Sequence, residues 1–120
     1  MRSARILPSL DAHEALAWLD DAPTAASVLM ATRAVGAHVR CAIHADAPER
    51  MGAALAAVPR EVSRALLWQA EGLVPEGGII ALGGASAASR TEALRAVDLL
   101  FVGLKGVATR EDLPRPRERA

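Results

Sequence analysis

The chain has 120 residues, 52% of them hydrophobic, with a formal net charge of +0. That length supports one domain around one core, and the charge balance excludes nucleic acid as the main partner, because phosphate binding draws on a basic excess. Aromatic residues make up only 2%, namely Trp18, Trp68 and Phe101, which excludes base-stacking platforms, and the single Cys41 excludes an internal disulfide or a cysteine metal cluster.

No apolar run approaches the roughly 18 residues that cross a bilayer. Pro8, Asp11 and Glu14 interrupt what would be the apolar core of a signal peptide, so the chain reads as cytoplasmic, with no membrane partner. Residues 1–10 form a short extended segment in which Ile6-Leu7 is stopped by Pro8. Asp11 is a good N-cap for a helix with Glu14 three residues on; Leu16 and Leu19 face inward beside Trp18, and Asp20-Asp21-Ala22-Pro23 ends it. Ser27–Thr32 is a strand, followed by a turn around Gly36.

His38–Ala45 alternates, with Val39, Cys41, Ile43 and Ala45 on one face, the period of a half-buried strand. A helix from Val35 to Asp46 competes with it. Asp46 caps the next helix, with Pro48 in its first turn, an apolar stripe of Met51, Leu55 and Val58, and Pro59 as its stop. Val62–Gln69 suits a helix through Val62, Leu66 and Leu67 and a strand through Ala65–Gln69. Gly72–Gly78, containing Pro75, is a loop.

Glu76–Gly103 is the stretch around which the rest is organised. Gly78–Gly83 is a short apolar run suited to a strand buried on both faces. Gly83-Gly84 permits a sharp turn or the close approach of another backbone. Ser89 and Glu92 form a capping box, and Ala93, Leu94, Ala96, Val97, Leu100, Phe101 and Leu104 follow helical spacing. Arg90, Arg95, Asp98 and Lys105 hold the opposite side, and Gly103 and Gly106 end the helix, although Leu99–Leu104 also passes for a strand. Val107–Leu113 is a last edge strand, and Pro114–Arg119 a basic tail.

Little in this order announces a reaction. Gly83–Ser89 lies where a phosphate can meet a helix N-terminus, but it lacks the lysine and glycine spacings of the known phosphate loops and reads as a tight turn. His38, Cys41, His44 and Asp46 are the only cluster of metal-ligand types. On a strand His38 and His44 stand about 20 Å apart, with Cys41 on the other face, so surface histidines and a buried cysteine are the expected reading. Ser86 and Ser89 have no nucleophile elbow, and the carboxylate pairs Asp20-Asp21 and Glu111-Asp112 sit at element ends where solvated charge is normal. No catalytic residue, metal ligand or cofactor is assigned.

Taken together, residues 37–120 form an α/β (α+β) domain with a single β-α-β-β-α-β core, an antiparallel sheet and helices packed on it, while residues 1–36 form an N-terminal helical extension. The first core strand falls at either 28–32 or 38–45. Val74–Gly84, the helix Ala85–Val97 and Asp112–Glu118 resemble the glycine loop, second helix and closing proline-arginine-proline segment of bacterial microcompartment shell proteins. That resemblance implies a non-enzymatic structural subunit that forms hexamers or trimers and tiles with other shell-type subunits. In such a shell Arg60, Arg64, Arg115 and Arg117 would form the oligomer edge. Gly72, Pro75, Glu76, Gly77 and Gly78 would form the pore or ligand loop, passing small metabolites. The rival readings are a small regulatory, metabolite-binding domain of ferredoxin-like topology, and a small enzyme or accessory subunit using the histidine and cysteine stretch.

Overall fold

The computed structural model describes residues 1–114. Its elements run β1 (Arg2–Leu7), α1 (Ala12–Asp20), β2 (Ala26–Arg33), β3 (His38–Ile43), α2 (Ala47–Ala56), β4 (Arg64–Ala70), β5 (Gly72–Val74), β6 (Ile79–Ala87), α3 (Arg90–Gly103) and β7 (Ala108–Leu113). The α+β class read from the sequence holds, as three helices and two sheets among the described residues. One sheet has the order β1-β4-β6-β2, with β1 parallel to β4 and the other pairs antiparallel. The other has the order β5-β3-β7 and is antiparallel throughout. Both candidate first strands therefore exist, β2 in one sheet and β3 in the other. Residues before position 37 contribute β1 and β2, which pair along β4 and β6.

Alternation along the inner strands builds two cores. Leu66 and Trp68 of β4 and Leu82 of β6 pack with Ala15 and Leu19 of α1 on one face. Ala65 and Leu67, with Ala81 and Ala85, pack with Met51 and Leu55 of α2 and Ala93, Ala96, Val97 and Leu100 of α3 on the other. Trp68, Leu66, Leu67 and Leu82 are among the largest fully buried side chains, each contributing roughly 1.5–3 kcal/mol relative to exposure.

Local signals set the helix starts. The Asp11 carboxylate accepts from the N–H groups of His13 (2.8 Å) and Glu14 (3.3 Å), and the Ser89 hydroxyl accepts from Glu92 N–H at 3.2 Å. Asp46 departs from the expected capping role: its side chain makes no cap hydrogen bond, and its carboxylate instead accepts from Arg50 Nε at 2.7 Å. Two other local readings are corrected. Residues 72–74, placed in a loop, form β5 against β3. Gly83-Gly84, favoured as a turn, lies in the middle of β6, which continues to Ala87.

The glycine pair answers instead to close approach. A Cβ on Gly83 would stand 2.6 Å from the Phe101 ring of α3, and one on Gly84 2.6 Å from Leu19 Cδ1 of α1. The two helices thus seat on opposite faces of one strand at adjacent positions. Gly83→Val should destabilise the protein by about 1–3 kcal/mol, read from urea unfolding midpoints. The cost should shrink in a Phe101→Leu background, because the ring is what the new side chain meets. An unchanged midpoint for Gly83→Val would refute this packing account.

Candidate functional site

Where β2 of the first sheet meets β7 of the second, the C-terminal end of α3 closes a cavity of about 360 Å³. Thr32, Phe101, Leu104, Lys105, Gly106, Ala108 and Arg110 line it. Each arrives for a local reason. α3 ends at Gly103, and the chain reverses through Gly106, whose φ of +81° favours glycine. The reversal leaves exposed Lys105 at the rim, and strand alternation in β7 then carries Ala108 and Arg110 to the same side.

The electrostatics of this cavity have one sign. Among the described residues Lys105 and Arg110 are its two charged lining residues, and no carboxylate lines it. The end of α3 brings a partial negative charge of about half an electron, which two full positive charges outweigh. Part of that dipole is also quenched, since Leu104 N–H donates to Leu100 O at 3.0 Å and Lys105 N–H to Val102 O at 3.4 Å. Phe101 and Leu104 supply an apolar wall, and Thr32 a hydroxyl. The arrangement suits a small anion that carries a flat or apolar body. A second cavity of about 210 Å³ beside Pro59 holds Glu61, Glu92 and Arg95, so its charge is mixed.

The turn is fixed from outside the cavity. His44 Nδ1 lies 2.7 Å from Gly106 O and His44 Nε2 lies 2.7 Å from Thr109 Oγ1. Arg50, paired with Asp46 at 2.7 Å, reaches Gly106 from α2: its guanidinium would lie 3.1 Å from a Cβ there. Arg50 also holds the Asp46 carboxyl below its usual range, chiefly through that hydrogen bond.

The metal-ligand types noted in the sequence are not brought together. His38 Nδ1 accepts from Glu76 N–H at 2.8 Å, His44 is engaged at the turn, and Cys41 is buried. Among the described residues no group of three or more His, Cys, Asp or Glu is placed to hold a metal. Burial pushes the Cys41 thiol up, partly offset by the nearby Arg110 charge.

The other singled-out residues lie elsewhere. Gly72 belongs to β5, and Pro75–Gly78 turns tightly: Gly78 N–H donates to Pro75 O at 2.8 Å and Gly77 N–H to Ala34 O at 2.7 Å. Pro75 and Gly78 also border an apolar recess of about 200 Å³ with Pro8, Leu10 and Leu73. Arg60 is exposed in the α2–β4 connection. Arg64 turns inward, donating to Trp18 O at 2.6 Å, with its guanidinium 5.1 Å from the Trp18 ring centroid. Arg115 and Arg117 lie outside the described residues. Sequence reasoning missed Lys105 and Arg110 as a pair. Their one local signal is a lysine beside the glycine that ends a helix; nothing local joins them to Thr32.

No family model and no curated protein matches the sequence. Solved structures do match it. The molybdopterin biosynthesis MoaE protein from Burkholderia ambifaria MC40-6 superposes with a TM-score of 0.78 at 15% identity, covering 92% of this chain and 80% of that one. Molybdopterin synthase from Staphylococcus aureus gives 0.80 at 10% identity, covering 92% and 90%. The complex of subunits 1 and 2 of molybdopterin-converting factor from Helicobacter pylori 26695 gives 0.71 at 16%, covering 94% and 84%. The chain is similar in fold to proteins of molybdopterin biosynthesis.

These matches overturn the microcompartment resemblance and what it implied: the shell subunit, its pore, its tiling partners and its non-enzymatic role. The physical source of the error is visible. The β-α-β-β-α-β order is common to several folds, and the glycine pair that suggested a shell-type turn sits inside a strand. No helix among the described residues is long and apolar enough to cross a membrane.

Two outcomes follow from the geometry around the turn. Cys41, 1% exposed and with its thiol pushed up, should resist thiol reagents at neutral pH in the folded protein and react on unfolding; prompt labelling of native protein would contradict its placement. The depressed Asp46 carboxyl stabilises the fold above its ordinary value of 3.8, and that contribution is lost as pH falls through the lower folded value. Asp46→Asn should therefore lower the urea midpoint slightly at pH 7 and leave it unchanged near pH 2, with equal effects at both pH values counting against the Arg50 pairing.

Proposed function

We propose that this chain is a subunit of a molybdopterin-forming enzyme, acting in the cytoplasm together with a second, different subunit. The observation that carries the reading is the fold match over 92% of the chain to a molybdopterin synthase, joined to a cavity lined, among the described residues, by two cations and no carboxylate. The Helicobacter pylori structure is a complex of two subunits, which supports a protein partner here.

Within that reading Lys105 and Arg110 hold an anionic group of the substrate, and Phe101 and Leu104 pack its body. Lys105 also stands where an ammonium could stabilise negative charge that develops during the reaction, since it is exposed at the cavity rim. The site uses the chain's own cations, so binding should weaken with salt.

The test is genetic and direct. Expression of this chain in a bacterial strain lacking its own MoaE should restore molybdoenzyme activity, and Lys105→Ala and Arg110→Ala should each reduce that rescue at least about tenfold, the effect of losing one charge-assisted contact. A folded, well-expressed wild-type chain that forms no molybdopterin even when supplied with its own partner subunit would overturn the proposal.

A further inference from the structure

We propose that His44 is a positioning residue that sets the spacing of the two cavity cations, an inference that rests on the reading of the cavity as an anion site. His44 does not line the cavity. It follows β3, and its ring reaches across to the connection between α3 and β7 with both nitrogens engaged. Nδ1 lies 2.7 Å from Gly106 O, and Nε2 2.7 Å from Thr109 Oγ1. Gly106 directly follows Lys105, and Thr109 directly precedes Arg110. The ring therefore ties the chain at the neighbour of each cation, and the distance between those ties fixes how far apart the cations' backbones stand.

Hydrogen-bond roles follow from the partners. A carbonyl only accepts, so Nδ1 carries the proton and donates to Gly106 O. In the neutral ring Nε2 then accepts from the Thr109 hydroxyl. The His44 backbone N–H adds a third tie, donating to Val107 O at 3.0 Å. The Arg50 guanidinium also lies close to Gly106, within 3.1 Å of where a Cβ would stand.

This arrangement separates positioning from stability. His44 and its contacts are exposed, so water can satisfy Gly106 O and Thr109 Oγ1 once the ring is gone. Water replaces the bonds but not the fixed span between them. Loss of the ring should therefore leave the fold nearly intact and still loosen the cation pair, which must then order on binding.

The experiment titrates inorganic phosphate into wild type, Lys105→Ala, His44→Ala, His44→Asn and Thr109→Val, following the amide signals of residues 104–110 by NMR, with thermal unfolding measured in parallel. Lys105-dependent phosphate binding in wild type is expected. His44→Ala should weaken it about five- to tenfold, the worth of roughly one net hydrogen bond, with Tm changed by only a few degrees. His44→Asn, whose amide N–H can donate to Gly106 O, should recover part of the affinity, and Thr109→Val should lose part of it. If His44→Ala unfolds, the Thr109→Val and His44→Asn affinities decide the matter. Wild-type affinity in His44→Ala, or in both of the other two variants, overturns the role of His44 while leaving the anion site standing. No phosphate binding in wild type, or binding that ignores Lys105→Ala, overturns the anion site and this inference with it.

Discussion

The structure depends on a strand with no side chain at two consecutive positions. Because adjacent residues of a strand face opposite ways, Gly83 and Gly84 open both faces of β6 at one level. Phe101 of α3 fills one opening and Leu19 of α1 the other. The contact on the α3 side has the longer reach. It fixes the last turn of α3 on the sheet, and that turn delivers Leu104, Lys105 and Gly106 to the cavity. A second close approach, of Gly103 to Ala54, settles the same end of α3 against α2. The cavity's position thus follows from packing that involves none of its charges.

The remaining geometry comes from the meeting of two sheets. β2 is an edge strand of the first sheet and β7 an edge strand of the second, and the cavity occupies the corner between them. Neither sheet alone gathers the lining: Thr32 comes from one, Ala108 and Arg110 from the other, and α3 spans the gap. The proposed anion site would not need its cations buried. At a water-accessible rim the attraction of one such charge for an anion is modest, so the gain would come from holding two of them in fixed register. That places weight on what holds the turn, and there the exposed His44 and Arg50 converge on Gly106.

Much of the fold was legible. The capping residues Asp11 and Ser89 announced α1 and α3, the alternation from His38 announced β3, and the apolar run after Gly78 announced β6. These signals are local, so one sequence carries them. What failed was long-range. The glycine pair fits a turn or a close contact equally well until the partner is known, and the partners, Phe101 and Leu19, lie far from it along the chain. Division of the strands between two sheets is likewise set by pairing, which leaves no mark on β2 or β3 taken singly. The site suffered most. Lys105 read as a solvated helix residue and Arg110 as part of an edge strand, and only the corner made by Thr32, much earlier in the chain, turns them into one surface. The same reasoning explains why short glycine- and alanine-rich stretches suggested the wrong family: such residues record close packing and say little about what packs.

Composition explains why the candidate site lies at a corner rather than between layers. Ala65, Ala81, Ala85, Ala93 and Ala96 line the interface of the sheet with its helices, alongside Gly83. Small side chains let the layers approach closely, which leaves little room for a ligand inside the sandwich, and each buried alanine contributes far less than a leucine would. A fold built this way gains its stability from close contact over many small residues, so opening a pocket within it would forfeit contacts it needs. At the junction of the sheets the constraint lifts. There Lys105 and Arg110 are exposed, so a lysine and an arginine can be presented without being desolvated. The alanine content that makes the chain look featureless thereby keeps the candidate site outside the layers, at the end of α3.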